Sequence, residues 1–107
     1  MTELAAGTIV DGASALDPTE LAAHLAALPG WALAADGRAI SREWRFKTFR
    51  RAAQLANLAA WQAEAANHHP DIAFGWGYCR VTWTTHDAGG LTEADFAAAA
   101  GFDRLLA

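Results

Sequence analysis

The chain has 107 residues, 53% of them apolar and 19% charged, with a formal net charge of −4. That length suffices for one domain, expected over residues 1–107, whose core needs neither disulfides nor a structural metal. The acidic balance and a pI near 5.4 exclude the basic footprint of a nucleic-acid binder. No apolar run reaches the ~18–20 residues needed to span a bilayer, and with no basic start at the N-terminus a cytoplasmic protein is expected.

Residues 1–16 show little periodicity and are expected to be flexible in part, with a short extended stretch near Ile9-Val10. Asp17-Pro18-Thr19-Glu20 then opens a helix: Asp17 is a cap, Pro18 suits the first helical position, and Glu20 can return a bond. Leu21, Leu25 and Leu28 form its apolar stripe, His24 lies on its surface, and Pro29-Gly30 stops it. Residues 31–46 read as a hairpin, because Asp36-Gly37 supplies the positive φ angles of a tight turn. In the second arm Ile40, Arg42, Trp44 and Phe46 share a face, opposite Ser41, Glu43 and Arg45. The basic cluster Arg42, Arg45, Lys47, Arg50 and Arg51 is read as a solvated surface, with an anion site as the alternative.

From Thr48 to Asn67 an alanine-rich pattern predicts a long helix with Leu55, Leu58 and Gln62 on one face and Trp61, Glu64 and His68 on another. Pro70 ends this element, since the residue before a proline avoids the α region. Ile72, Phe74 and Trp76 alternate as a strand, Gly77-Tyr78 makes a turn, and a second strand runs from Cys79 to Thr85. There Cys79, Val81 and Trp83 face the core, which makes Cys79 buried filler rather than a nucleophile, while Arg80, Thr82, Thr84 and His86 face the other way. Residues 87–90 form a flexible loop. Thr92 and Asp95 then have capping-box spacing before a last helix striped by Phe96, Ala99, Phe102 and Leu106. The order α-β-β-α-β-β-α is that of an α+β fold, a four-stranded antiparallel sheet with three helices packed on one face.

Candidate chemistry concentrates at His68, His69 and His86, three of the four histidines. A helix end and a strand end can converge at one rim of such a sheet, and histidine exchanges protons near neutrality. Glu64, four residues before His68, is expected on the same helix face and able to orient or charge it. Adjacent histidines before a proline also suit a plain polar helix end. A metal site is a further alternative, although zincin spacing is absent and neighbouring histidines splay apart. No Gly-x-Ser-x-Gly elbow and no phosphate loop is present, which leaves proton transfer.

Glu64-x-x-x-His68-His69-Pro70, the aromatic Trp76, Thr84-Thr85-His86 and Gly90-Leu91-Thr92-x-x-Asp95 together resemble the pterin-4a-carbinolamine dehydratases, as does Leu28-Pro29-Gly30-Trp31 after the first helix. The resemblance covers residue 17 to the C-terminus. It implies dehydration of a 4a-hydroxytetrahydropterin to the quinonoid dihydropterin in recycling of the cofactor of aromatic amino acid hydroxylases, without a metal or redox cofactor. It implies catalytic or pterin-contacting roles for His68, His69 and His86, supporting or substrate-binding roles for Glu64, Pro70, Trp76, Thr85 and Asp95, and a homodimer or homotetramer. Asn67 stands where some members carry Asp, and Trp83 where a smaller aliphatic is common. One branch of the family resembles a dimerisation cofactor of homeodomain transcription factors, so a non-catalytic assembly module is the alternative.

Overall fold

A computed structural model describes residues 14–107; the stretch near Ile9-Val10 lies outside the described residues. Leu16, expected in a mobile terminus, donates its N–H to Leu91 O at 2.8 Å, which ties the chain down before the first helix. Helix α1 (Pro18–Ala26) starts as its sequence dictates: the Asp17 carboxylate accepts from Glu20 N–H at 2.8 Å, and Glu20 accepts from Asp17 N–H at 2.9 Å. Its leucines are only partly buried, so α1 lies over the rim of the core.

Strands β1 (Ala32–Leu33), β2 (Ile40–Arg45), β3 (Asp71–Gly75) and β4 (Tyr78–Trp83) form one antiparallel sheet in the order β1-β2-β4-β3. The first hairpin departs from expectation. Leu33 pairs with Ile40, so the connection has six residues, and only Gly37 of the Asp-Gly pair takes a positive φ. The tight turn falls one residue earlier, closed by the Gly37 N–H on Ala34 O at 2.9 Å, and Asp36 accepts the Arg38 N–H at 2.9 Å in an Asx-type bond beside it. In the second hairpin Gly75 pairs with Tyr78, which moves the turn one residue earlier, to Trp76-Gly77. Gly77 supplies the left-handed residue there, at φ +87°. Trp76 is therefore a loop residue, 68% exposed, and has no place in the sheet core.

Helix α2 (Phe49–Ala66) runs between Thr48, whose hydroxyl accepts the Arg51 N–H, and Asn67, a left-handed C-cap at φ +55°. Its buried stripe is mostly alanine (Ala52, Ala56, Ala59, Ala63 and Ala66, with Leu55), while Leu58 and Gln62 are only half-buried. Small side chains let this helix lie close against β3 and β4. Helix α3 (Glu93–Leu106) inserts Phe96, Ala99 and Phe102 into the core, but Leu106 emerges into solvent in the last turn.

The core forms where Ile40, Cys79, Val81 and Trp83 on one sheet face meet α2 and α3. Trp44 packs edge-on against both Phe102 and Trp31, at 5.5 and 5.9 Å between ring centroids. Arg42 is only partly solvated. It lies 5.0 Å from the Trp44 ring centroid and pairs with Asp103 at 3.2 Å, while Trp31 donates to the same carboxylate. Arg45 does stay outside, paired with Glu43. Among the described residues no helix is long and apolar enough to cross a membrane.

Candidate active site

Asp95 organises the region where α2, β4 and α3 meet. It sits in the first turn of α3, where its Oδ2 accepts the Thr92 N–H at 2.9 Å, the return arm of a capping box. The carboxylate is fully buried, with 0% exposure. A charge in that position requires partners, and two other elements supply them. Thr85, just beyond β4, donates its hydroxyl to Oδ2 at 2.8 Å, and His68 Nε2 lies 2.6 Å from Oδ1. The ionised carboxylate can only accept, so Nε2 carries the shared proton. The Thr85 proton is committed to Asp95, and the Thr92 hydroxyl therefore donates to Thr85 Oγ1 across 2.9 Å. Asp95 thus caps a helix and also anchors two other segments.

His68 is only 3% exposed and stacks on Trp83, with 5.2 Å between ring centroids and 17° between planes. Its relation to Glu64 differs from the expected one. The (i, i+4) pairing assumes that the helix continues, but Asn67 turns left-handed and swings the next two residues apart. His68 turns inward to Asp95, and the Glu64 carboxylate pairs with His69 Nε2 at 2.7 Å on the surface. The side chain of His69 is 57% exposed.

His86 begins a short 3₁₀ turn (His86–Ala88) rather than ending β4, which stops at Trp83. The loop expected to be flexible is closed: Thr85 bridges Gly90, and the Gly89 N–H returns to His86 O at 3.0 Å. His86 is exposed and lines a cleft of about 290 Å³ with Asp36, Arg38, Thr84 and the Gly89-Gly90 pair. Thr84 links the two sides of this cleft by donating its hydroxyl to Arg38 O at 2.5 Å. The Thr92–Asp95 capping box is as its spacing implied, but sequence reasoning missed the contributions of Trp83 and Arg38 here, because neither is joined to the histidines by a local spacing. Cys79 is buried, and desolvation raises its thiol pKa above the usual 9.0, which suits core packing rather than nucleophilic chemistry. Among the described residues, no group of three or more His, Cys, Asp or Glu side chains converges as a metal centre would require.

The arrangement therefore presents two exposed histidines. Each follows directly in sequence a residue bonded to Asp95: His69 follows His68, and His86 follows Thr85. Comparison with known proteins shows the family of the chain as a whole. The family model described as pterin 4 alpha carbinolamine dehydratase matches residues 14–105. The chain belongs to this family. Its members are hydro-lyases. A relative from Paracoccus denitrificans (strain Pd 1222), named as a pterin-4-alpha-carbinolamine dehydratase, is 65% identical over 103 residues, covering 96% of each chain. A relative of the same name from Rubrobacter xylanophilus is 44% identical over 98% of this chain and 100% of its own. Among solved structures, a transcriptional coactivator/pterin dehydratase from Brucella melitensis superposes with a TM-score of 0.78. It is 35% identical, over 88% of this chain and 100% of that one.

Proposed function

We propose that this chain dehydrates a 4a-hydroxytetrahydropterin to the quinonoid dihydropterin, with His69 and His86 as the proton-transfer pair. The reaction breaks the bond between C4a and the hydroxyl oxygen. One histidine delivers a proton to the departing oxygen, the other removes the proton from N5, and the products are water and the quinonoid ring. Each positioned proton transfer contributes roughly 10²–10⁴-fold. The observation that carries this reading is the Asp95 carboxylate, which fixes the two chain segments from which the accessible histidines emerge. His68 belongs to the same site: through its bond to Asp95 it sets where the backbone releases His69. Glu64 orients the His69 ring through their 2.7 Å contact. Pro70 directly follows the pair, beyond the Asn67 cap that already ends the helix, and Trp76, in an exposed loop, is available to contact ligand or partner.

Dehydration of synthetic 4a-hydroxytetrahydropterin, followed by rapid mixing, tests the proposal. Acceleration over buffer is expected, and a rate equal to buffer refutes it. The metabolic role that follows is recycling of the tetrahydropterin used by an aromatic amino acid hydroxylase. We also propose self-association as a dimer or tetramer, supported by the exposure of Phe49, Trp61, Phe74 and Trp76. Light scattering that shows only monomer at micromolar concentration would contradict it. The Brucella melitensis protein is named a transcriptional coactivator as well as a pterin dehydratase, which favours a second reading, an assembly role alongside catalysis. A stoichiometric partner still captured by a His69→Ala/His86→Ala double variant would support that reading.

A further inference from the structure

The connection between β1 and β2 carries none of the family-like residues, yet it forms one wall of the cleft that contains His86. Arg38 is its chief polar group. The backbone of Arg38 is held from both sides: its N–H donates to Asp36 Oδ1 at 2.9 Å, and its carbonyl accepts from the Thr84 hydroxyl at 2.5 Å. Its stem passes over Gly90, where an added Cβ would lie 4.0 Å from Arg38 Cγ. No ion pair among the described residues engages its guanidinium. His86, across the cleft, is held by the closed 3₁₀ turn. Two exposed side chains on pinned backbones thus line one small cavity.

On the dehydratase reading, His86 acts at the 4a oxygen or at N5. The carbon next to C4a in that ring carries the 4-oxo group, so a donor beside His86 meets this oxygen. A guanidinium donates and never accepts, so it selects an acceptor at that position. We infer that Arg38 is a substrate-binding and specificity residue, hydrogen-bonding the 4-oxo oxygen of the pterin. The 4-oxo group stays a carbonyl through the loss of water, so this bond is equally strong in ground and transition states. Its loss raises KM and leaves kcat within about twofold.

The test compares 2-amino-4-oxopteridine with 2,4-diaminopteridine, in which a donor replaces the acceptor. Binding is read from quenching of the intrinsic tryptophan fluorescence. Wild type is expected to prefer the 4-oxo ring. Arg38→Ala should weaken binding of that ring by roughly tenfold or more, the scale of one charge-assisted hydrogen bond, and spare the diamino ring. Arg38→Lys should restore part of the preference, since it keeps the charge but not the planar fork. In the dehydration assay the same loss should appear in KM. A wild type indifferent to the exchange, or an Arg38→Ala change that weakens both rings equally or neither, overturns the inference while leaving the dehydratase reading intact. Wild type that neither binds the 4-oxo ring nor accelerates dehydration overturns both.

Discussion

Replacing Asp95 tests the organisation of the site through stability alone. The carboxylate is fully buried and takes three hydrogen bonds, from His68 Nε2, the Thr85 hydroxyl and the Thr92 N–H. In Asp95→Ala the Thr85 oxygen keeps its contact with Thr92, but the Thr85 hydroxyl proton, the His68 ring and the Thr92 N–H lose their acceptor. Each stranded buried donor costs about 1–3 kcal/mol, so the three together cost at least about 3 kcal/mol. Solvent screening does not reduce this, because neither His68 nor Asp95 is exposed beyond a few per cent. A domain of this size holds about 5–15 kcal/mol in total, and each kcal/mol moves Tm by about 4–8 °C. Asp95→Ala should therefore lower Tm by at least about 12 °C and shift the urea midpoint in step. Asp95→Asn keeps the shape. Its carbonyl can still serve Thr85 and Thr92, and its amide can face His68 if the imidazole proton moves to Nδ1, so about 1–2 kcal/mol is expected. Thermal and urea unfolding measure both. An Asp95→Ala protein within about 1 kcal/mol of wild type would refute the buried-network account.

Three further outcomes follow from the geometry. Asn67→Gly should be neutral or stabilising by a few tenths of a kcal/mol and Asn67→Ala destabilising by about 1 kcal/mol, because the cap sits at φ +55°; urea midpoints decide this. Phe102→Ala, which empties a fully buried site beside Trp44, should cost about 3–5 kcal/mol in the same assay. Cys79 should resist alkylation until the chain unfolds. Its folded-state pKa is raised by burial, so the unfolded thiol ionises first: the stability it contributes is fully present below about pH 9.0 and is lost as pH rises from there through the folded value, which a Cys79→Ala variant should not show.

Much of the fold was legible because it is written in local chemistry. Asp17 and Glu20 cap α1 as their spacing implies, and period-two alternation placed Cys79, Val81 and Trp83 on the buried face. The errors arose where one residue's backbone decides the outcome. Asn67 turning left-handed reassigns Glu64 from His68 to His69, which no helical-face argument can anticipate. Gly77, rather than Tyr78, completes the second turn, which moves Trp76 out of its strand. Long-range partners were out of reach: Arg42 with Asp103, Trp83 beneath His68, and Arg38 across from His86 are joined by tertiary packing alone. The three histidines were visible as a group, but their division into one buried and two exposed was not.

The most direct test of the central claim is the rate of 4a-hydroxytetrahydropterin dehydration in His69→Ala, His86→Ala and the double variant, with His24→Ala as control. His24 stacks on Phe96 by α1, outside the Asp95 network and the His86 cleft. Each single replacement should lower kcat by roughly 10²–10⁴-fold, and the double variant should fall well short of the product of the two, as groups acting in one step do. The control should remain near wild type. Single variants that keep kcat within threefold of wild type would contradict the assignment of proton transfer to these two histidines.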